Sequence, residues 1–197
     1  EDDYAAKVEN TYGKTECWYI LDAKPDATLV CGLNKDYTRE ELSAAIKNNT
    51  LDNCLKYVPV EKGDFVFIPA GTVHAIQGGL RILEIQQPSD ITYRLYDWGR
   101  PREIHIEKGL DVTKAFAPEP EKPFSKDFSC NYFSLLQQDI KSSGEKISLV
   151  PENKSSPAYQ TGFVSLFVLS GSGKLFSKTE NKEIDIKPED TIIVKTN

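Results

Sequence analysis

The sequence has no methionine and only two histidines among its 197 residues, and it lacks any long hydrophobic run. Its longest nearly apolar stretch, Phe163 to Leu169, is far too short to cross a bilayer as a helix. Basic residues do not cluster, and acids outnumber bases by 30 to 24, so a broad nucleic-acid or anionic-membrane surface is not expected. No secretory signal peptide opens the chain. These absences favour a cytoplasmic protein that binds neither nucleic acid nor membranes.

The missing methionine also bears on whether the chain is complete. Even the initiator is absent, the chain begins abruptly with Glu1-Asp2-Asp3, and it stops at Asn197 inside a strand-like run. We therefore expect that this sequence is a fragment, truncated at both ends.

Cysteine is scarce and irregularly spaced, without a Cys-x-x-Cys pair. Four cysteines allow three disulfide pairings, but acidic cytosolic enzymes often carry such scattered thiols. We interpret them as buried reduced thiols. The four are Cys17, Cys31, Cys54 and Cys130.

What is present is the composition of a globular protein, with 39% apolar and 27% charged residues. Short strand-like runs, among them Ile91 to Asp97, alternate with glycine and proline and indicate an all-β barrel or sandwich. A capping box, Thr38 to Glu41, followed by a short apolar stripe, predicts one helix from Thr38 to about Lys47. The proline-rich stretch Ala117 to Pro123 predicts a linker. We therefore predict a first β unit over 1–116, a linker over 117–127 and a smaller β unit over 128–197.

The strongest motif runs from Gly63 to His74 and reads Gly63-Asp-Phe-Val-Phe-Ile-Pro69-Ala-Gly71-Thr-Val-His74. It matches the second half-motif of the cupin barrel, G-x5-P-x-G-x2-H, at every fixed position through the histidine. In cupins this histidine is usually a metal ligand, so His74 is a candidate ligand. The alternative is a hydrogen-bonded core histidine.

Two further patterns place polar residues on strand faces. Lys14 and Glu16 share a face with Trp18 by the two-residue period of a strand. Glu16 offers an oxygen ligand, and Lys14 beside it is expected to lower its pKa; the alternative is a surface ion pair. Glu84 and Arg94 lie on polar faces of later runs, which indicates either a ligand pocket inside a barrel or a solvated outer face.

Together these motifs resemble the class I mannose-6-phosphate isomerases, in particular the short bacterial form. The resemblance covers nearly the whole chain. It is carried by Gly13-Lys-Thr-Glu-Cys-Trp-Tyr, Pro69-Ala-Gly-Thr-Val-His-Ala, Ser89-Asp90 with Tyr93-Arg94-Leu-Tyr-Asp97, and Glu103-Ile-His-Ile-Glu-Lys108. It implies an all-β fold of two tandem double-stranded β-helix (cupin or jelly-roll) barrels with a small helical insertion, and one zinc ion in the first barrel.

The resemblance also implies roles for individual residues. Glu16 and His74 would be zinc ligands, and Arg94, Glu84 and Lys14 would be catalytic. The substrate would be a phosphorylated hexose, and Lys108 matches a basic position near its phosphate. A phosphate needs fixed donors, and Arg94 and Arg100 are the other nearby candidates beside Lys108. The enzyme would interconvert mannose 6-phosphate and fructose 6-phosphate through an enediol. The general base stays open between Glu84, a zinc-bound water and His105.

One family feature is missing. A Gln-Val-His-Pro-like segment that supplies two further ligands comes, in the family, immediately before the stretch that starts here at Glu1. His105 fits a different motif and is no replacement by sequence. A catalytic zinc site normally has three or more protein ligands. We therefore expect this chain alone to bind zinc poorly and to show little isomerase activity.

Two other functions were weighed against this one. The missing ligands favour a non-enzymatic cupin that senses or stores a sugar, whereas the motif content favours the enzyme. A cupin-type glucose-6-phosphate isomerase would need a denser set of metal ligands than this chain shows.

Overall fold

The chain forms two compact units, Glu1–Ser125 and Lys126–Asn197. The computed structural model describes residues 2–141, 144–145, 163–177 and 181–195. Among these residues, no helix is long and apolar enough to cross a membrane.

The first unit consists of six short strands, three α-helices and one 3₁₀ turn. In chain order they are α1 (Asp2–Glu9), β1 (Glu16–Ala23), β2 (Thr28–Leu33), α2 (Arg39–Lys47), the 3₁₀ turn (Leu51–Cys54), β3 (Leu55–Pro59), β4 (Phe65–Ile68), β5 (His74–Ile76), β6 (Leu80–Gln86) and α3 (Ile106–Val112). The strands form two antiparallel sheets of three, in the orders β4-β1-β6 and β3-β2-β5. The prediction of a mainly β chain is confirmed.

The two sheets bury one core between them. It contains Trp18 and Ile20 from β1, Leu29 and Cys31 from β2, and Val66 from β4, together with further apolar side chains. Alternate side chains of β2 point the other way, where α2, α3 and the 3₁₀ turn cover them in a second apolar cluster. Because β2 is covered on both faces, its sequence reads as a continuous apolar run instead of an alternating one.

The predicted helix is confirmed as α2. Thr38 is its N-cap, the Glu41 backbone N–H donates to the Thr38 hydroxyl, and the Glu41 carboxylate accepts from the Thr38 backbone N–H. The prediction of a single helix is wrong, because α1 and α3 also form. They are held by their neighbours: Tyr4 of α1 hydrogen-bonds Asp111 of α3, and Arg39 of α2 pairs with the same carboxylate.

Two other predictions about strands need correction. Ile91 to Asp97 forms no strand; the whole stretch from 87 to 105 is described and runs as turns and irregular backbone. Its apolar residue Leu95 packs into the helix-side cluster instead of joining a sheet. The sheets of the first unit also do not close into a barrel in the described residues, since no strand pairing joins one three-stranded sheet to the other.

The segment predicted as a linker packs on the first unit up to Ser125. Glu121 and Phe65 exchange two backbone hydrogen bonds of 2.9 and 3.0 Å, and the Phe124 backbone N–H donates to the Gly63 carbonyl. The Phe124 ring stacks on Phe65 with 4.6 Å between ring centres. Ala117 belongs to the core between the sheets. The division between the units therefore falls after Ser125.

The described part of the second unit consists of antiparallel strand pairs. Its strands are β7 (Asp127–Ser129), β8 (Ser134–Leu136), β9 (Phe163–Phe167), β10 (Gly173–Ser177), β11 (Lys182–Ile186) and β12 (Thr191–Lys195). Strand β7 pairs with β8, β10 with β11, and β9 with β12. None of its described residues is buried.

Candidate active site

Strand β1 carries the centre of the candidate site on its inner face. Lys14 precedes the strand, Glu16 begins it, and Trp18 and Ile20 follow at the two-residue period. The depth of burial changes along this face: the Lys14 side chain is 21% exposed, whereas that of Glu16 is 1% exposed. Trp18 and Ile20 continue into the core. The face therefore has a polar end and an apolar end.

Four polar side chains meet at the polar end. The Glu16 Oε1 atom lies 3.0 Å from His74 Nε2, and Glu16 Oε2 lies 2.7 Å from Lys14 Nζ. The same Lys14 ammonium lies 3.6 Å from Glu84 Oε1. Lys14, Glu16, His74 and Glu84 are called the inner cluster from here on.

Strand register explains how sequence-distant residues reach this cluster. In the first sheet, Trp18 of β1 stands directly opposite Glu84 of β6, so their side chains share a face. In the second sheet, His74 begins β5 and stands opposite Cys31 of β2. The inner cluster thus joins the two sheets, with Glu16 from one and His74 from the other.

The turn before β5 orients the imidazole of His74. Its Nδ1 atom lies 2.8 Å from the Thr72 carbonyl oxygen, which can only accept, so Nδ1 carries the proton. Nε2 therefore faces Glu16. The turn needs a glycine at position 71, where φ is +92° and an added Cβ would lie 2.5 Å from the Val112 carbonyl oxygen. This turn is the Pro-x-Gly part of the motif seen in the sequence.

Charge interactions lower the pKa of Glu16 and raise the pKa of His74. Burial alone raises the pKa of Glu16, but the hydrogen bond and charge of His74, and then those of Lys14, outweigh it and lower that pKa. Burial likewise works to lower the pKa of His74, and its bond to Glu16 reverses this and raises it. The expectation that Lys14 lowers the pKa of Glu16 is confirmed, with His74 the larger contributor.

A second group of charges surrounds Asp97 in the loop after β6. The Asp97 carboxylate, which is buried, accepts from Arg102 Nε at 2.8 Å and lies 2.8 Å from an Arg100 nitrogen. The Arg102 hydrogen bond is the main reason that the pKa of Asp97 is lowered, and burial opposes it. Arg94 lies at the edge of this group, 4.0 Å from Asp97, and donates to the Glu103 carbonyl at 3.0 Å.

The third charged group involves Lys108 of α3. Its ammonium lies 2.6 Å from the Glu9 carboxylate of α1, which also accepts from the Tyr93 hydroxyl at 3.1 Å. The Lys108 hydrogen bond is the main reason that the pKa of Glu9 is lowered. His105 precedes α3, and its Nδ1 accepts from the Arg94 backbone N–H at 3.2 Å.

The structure therefore brings four of the seven sequence-predicted site residues together and leaves three apart. Within the described part of the chain, no hydrogen bond or ion pair connects Arg94, Arg100 or Lys108 with the inner cluster. Each of the three is paired with a carboxylate or a backbone carbonyl in its own neighbourhood.

Some residues around these groups were not singled out from the sequence. Asp97 and Arg102 form the centre of the second group of charges. The signal in the sequence was an aspartate followed at i+3 and i+5 by arginines. Glu9 was missed because it lies on a helix that was not predicted. Thr72 acts through its backbone carbonyl, which leaves no signal in residue type.

The inner cluster offers two donors to a metal ion. Glu16 Oε1 and His74 Nε2 are oxygen and nitrogen donors of the kind that zinc prefers, and two donors on one tetrahedral zinc lie roughly 3.3 Å apart. Their 3.0 Å separation agrees with that value. The described residues contain no group of three or more His, Cys, Asp or Glu side chains that could hold a metal. The pair fits one side of a zinc site and does not complete it.

No family profile matches the chain. The chain is 36% identical over 193 residues to the mannose-6-phosphate isomerase ManA of Bacillus subtilis, an alignment that covers 89% of this chain and 58% of that protein. The chain thus spans about three-fifths of the length of the curated relatives it matches.

Solved structures lead to the same family. A mannose 6-phosphate isomerase from Bacillus subtilis matches with a TM-score of 0.70 and 26% identity, covering 99% of this chain and 63% of that one. A mannose 6-phosphate isomerase bound with zinc and yttrium shares the fold, with a TM-score of 0.53, 14% identity, and coverage of 92% of this chain and 61% of that one. The resemblance to mannose-6-phosphate isomerases is thereby confirmed, and so is the mainly β, cupin-type fold class, whose sheets stay open within the described residues.

Proposed function

We propose that this chain carries part of the active site of a mannose-6-phosphate isomerase, which interconverts mannose 6-phosphate and fructose 6-phosphate through an enediol. The observation that carries the proposal is the inner cluster. Its four side chains come from three places in the sequence: Lys14 and Glu16 from one, His74 and Glu84 from two others. The first three belong to motifs that resemble the family, and the resemblance implies a catalytic role for Glu84. Carboxylates are rarely buried unless they are paired. Buried carboxylates with charged partners are often found at functional sites, so the burial of Glu16 favours such a site. We place the enzyme in the cytoplasm, in line with its four cysteines, none of which forms a disulfide in the described part of the chain.

The reaction moves a proton between neighbouring carbons of the sugar. We assign the acceptance of that proton to Glu84, whose side chain is 33% exposed and can reach a bound ligand. The Lys14 ammonium, 3.6 Å from Glu84, presents N–H donors beside that carboxylate, where the substrate oxygens would lie. Glu16 fixes the Lys14 ammonium from the buried side.

Glu16 and His74 would hold zinc, together with the further ligands that the resemblance implies. When bound, zinc supplies Lewis-acid stabilisation for negative charge on a substrate oxygen. In this chain the Thr72 carbonyl orients His74 so that Nε2 is the atom available to a ligand.

Recognition of the phosphate is assigned to Arg94, Arg100 and Lys108. Their partners, Asp97 and Glu9, hold these cations in position but also compete for them. A phosphate binds more strongly to donors that are already in place, because less side-chain entropy is then lost.

The test is a coupled assay for conversion of mannose 6-phosphate to fructose 6-phosphate. It compares the 197-residue chain with a version extended upstream by the ligand-bearing segment of the family. Zinc binding is measured separately by competition with a coloured chelator, so that metal affinity does not depend on activity. We expect zinc binding and activity in the longer version and little of either in the shorter one.

Variants of the longer version test the assigned roles. Glu84→Gln should lower kcat by about 10²- to 10⁴-fold, the usual contribution of a general base, with zinc binding unchanged. Glu40→Gln, an exposed position on α2, is the matched control and should leave kcat unchanged. If Glu84→Gln behaves like Glu40→Gln, then Glu84 is not the base.

A second function, a non-enzymatic sugar-binding cupin, is favoured by one observation. The described residues contain only two donors of the expected zinc site. If the longer version binds mannose 6-phosphate but does not convert it, even with added zinc, the binding function replaces the enzymatic one.

A further inference from the structure

Trp18 is a buried side chain whose polar atom has no partner. The residue is 2% exposed, and within the described residues its indole Nε1–H has no hydrogen-bond acceptor. Buried tryptophans usually bond this N–H to an acceptor, since leaving it unpaired costs roughly 1–3 kcal/mol. Most of the indole packs among the apolar side chains between the sheets.

The position of Trp18 connects it to the inner cluster. It follows Glu16 on the inner face of β1 and stands directly opposite Glu84 of β6. Its ring meets the His74 imidazole edge to face, with 5.5 Å between ring centres and 76° between planes. Trp18 therefore forms the layer directly beneath the four polar side chains.

A second unpaired group belongs to Thr72, the residue whose carbonyl orients His74. The Thr72 hydroxyl oxygen is buried and has no hydrogen-bond partner in the part of the chain that the structure describes. The carbonyl of the same residue accepts from His74 Nδ1. Two residues that contact the His74 imidazole thus each carry an unpaired buried donor, which indicates a polar ligand at this place and not a chance packing defect.

We propose that the indole N–H of Trp18 is a substrate-binding donor that hydrogen-bonds a hydroxyl oxygen of the bound sugar at the inner end of the inner cluster. The proposal rests on the proposed function only for the identity of the sugar. Besides its charged phosphate, a hexose phosphate offers hydroxyl oxygens that accept hydrogen bonds. An unpaired donor in a buried site discriminates against ligands that lack a matching oxygen. Trp18 is thus a determinant of specificity for polyhydroxylated ligands.

The first experiment uses the fact that the chain has two tryptophans. The Trp98→Phe variant leaves Trp18 as the sole tryptophan, and Trp98 is half-exposed with its N–H donated to Asp52 at 3.0 Å. The 197-residue variant is titrated with mannose 6-phosphate, fructose 6-phosphate, glucose 6-phosphate, mannose and inorganic phosphate. The fluorescence of Trp18 and its single indole N–H resonance are followed. We expect the sugars to change the fluorescence and to move the resonance downfield, and inorganic phosphate to do neither.

The second experiment measures affinity by calorimetry for the Trp18→Phe and Trp98→Phe variants. Loss of one hydrogen bond should weaken sugar binding about 3- to 10-fold in Trp18→Phe, with no change in Trp98→Phe. Binding of inorganic phosphate should be the same in both. If Trp18→Phe does not fold, the resonance of Trp18 in the Trp98→Phe variant still decides the question.

The outcomes separate this inference from the proposed function. If mannose 6-phosphate is inert but another sugar moves the Trp18 resonance, the role of Trp18 stands and the proposed substrate is refuted. If mannose 6-phosphate binds without moving that resonance, the proposed substrate stands and the role of Trp18 is refuted. If none of the sugars affects Trp18, the inference is overturned as well.

Discussion

The attachment of residues 117–125 to the first unit can be tested by removing one ring. Phe124 is 6% exposed, stacks on Phe65 and meets Tyr19 edge to face with 6.1 Å between ring centres. Phe116, in the same part of the chain, is 78% exposed. The variants Phe124→Ala and Phe116→Ala therefore remove the same atoms from a packed and from a solvated position.

The expected difference follows from burial. Truncation of a buried phenylalanine to alanine typically destabilises a protein by about 3–5 kcal/mol, since contacts and apolar burial are lost together. We expect about 3 kcal/mol for Phe124→Ala, because Phe124 lies at the end of the unit, where the site can partly collapse. An exposed substitution such as Phe116→Ala should stay within about 0.5 kcal/mol of zero.

Urea unfolding followed by tryptophan fluorescence is a suitable assay, since Trp18 and Trp98 both belong to the first unit. With a slope of roughly 1–3 kcal/mol per molar urea, a loss of about 3 kcal/mol lowers the midpoint by about 1–3 M. Equal midpoints for the two variants would refute the reasoning and restore the segment to the role of a linker.

Three more predictions concern single residues. Gly71→Ala should destabilise the first unit by about 1–3 kcal/mol more than Gly63→Ala in urea unfolding, because both have positive φ but only at position 71 would the new Cβ meet the Val112 carbonyl; equal losses would contradict this. The pKa of Asp97 is lowered in the folded state, so the stabilisation by its carboxylate is present above the unfolded pKa of about 3.9 and is lost as pH falls through the folded pKa. The free energy of unfolding of Asp97→Asn should therefore fall less between pH 6 and pH 3 than that of the wild type. Parallel pH profiles of the two proteins would contradict this role of Asp97. One thiol, that of the half-buried Cys130, should react quickly with a disulfide reagent in the native protein, the other three should react only on unfolding, and Cys130→Ser should remove the fast phase.

Where local sequence decides structure, prediction succeeded. The helix at Thr38 has a complete capping box, and both of its hydrogen bonds form within four residues. Helices α1 and α3, of eight and seven residues, are too short to be stable alone. Ion pairs and hydrogen bonds between Tyr4, Arg39 and Asp111 join them to α2, and such contacts between distant residues leave no periodic pattern to read.

The stretch from 91 to 97 shows how a pattern can mislead. Its alternating apolar and polar residues are typical of a strand, but strands also need a partner for their backbone groups. Here Leu95 packs against α3, where an added Cβ on Gly109 would lie 2.5 Å from it. Leu95 is therefore buried by a helix instead of by a sheet.

The candidate site residues likewise include some whose placement could be predicted from the sequence and some whose placement could not. The face shared by Lys14, Glu16 and Trp18 follows from the two-residue period of one strand, and the place of His74 from a motif. The grouping of Arg94 and Arg100 around Asp97 depends on an irregular loop. No periodicity describes such a loop, so neither this grouping nor the pairing of Lys108 with Glu9 could be predicted from the sequence.

The contact between Glu16 and His74 crosses from one sheet to the other, and this has a consequence for engineering the inner cluster. The covalent chain sets the spacing of residues on one strand. The distance between Glu16 and His74 instead depends on how far the apolar core beneath them holds the two sheets apart. Val66, which stands beside Trp18 in that core, touches none of the four polar side chains by hydrogen bond or ion pair. A larger residue in place of Val66 should nevertheless lengthen the distance between Glu16 and His74, and a smaller one should shorten it. Remote changes in side-chain volume are therefore a means of tuning the ligand geometry without replacing a single donor atom.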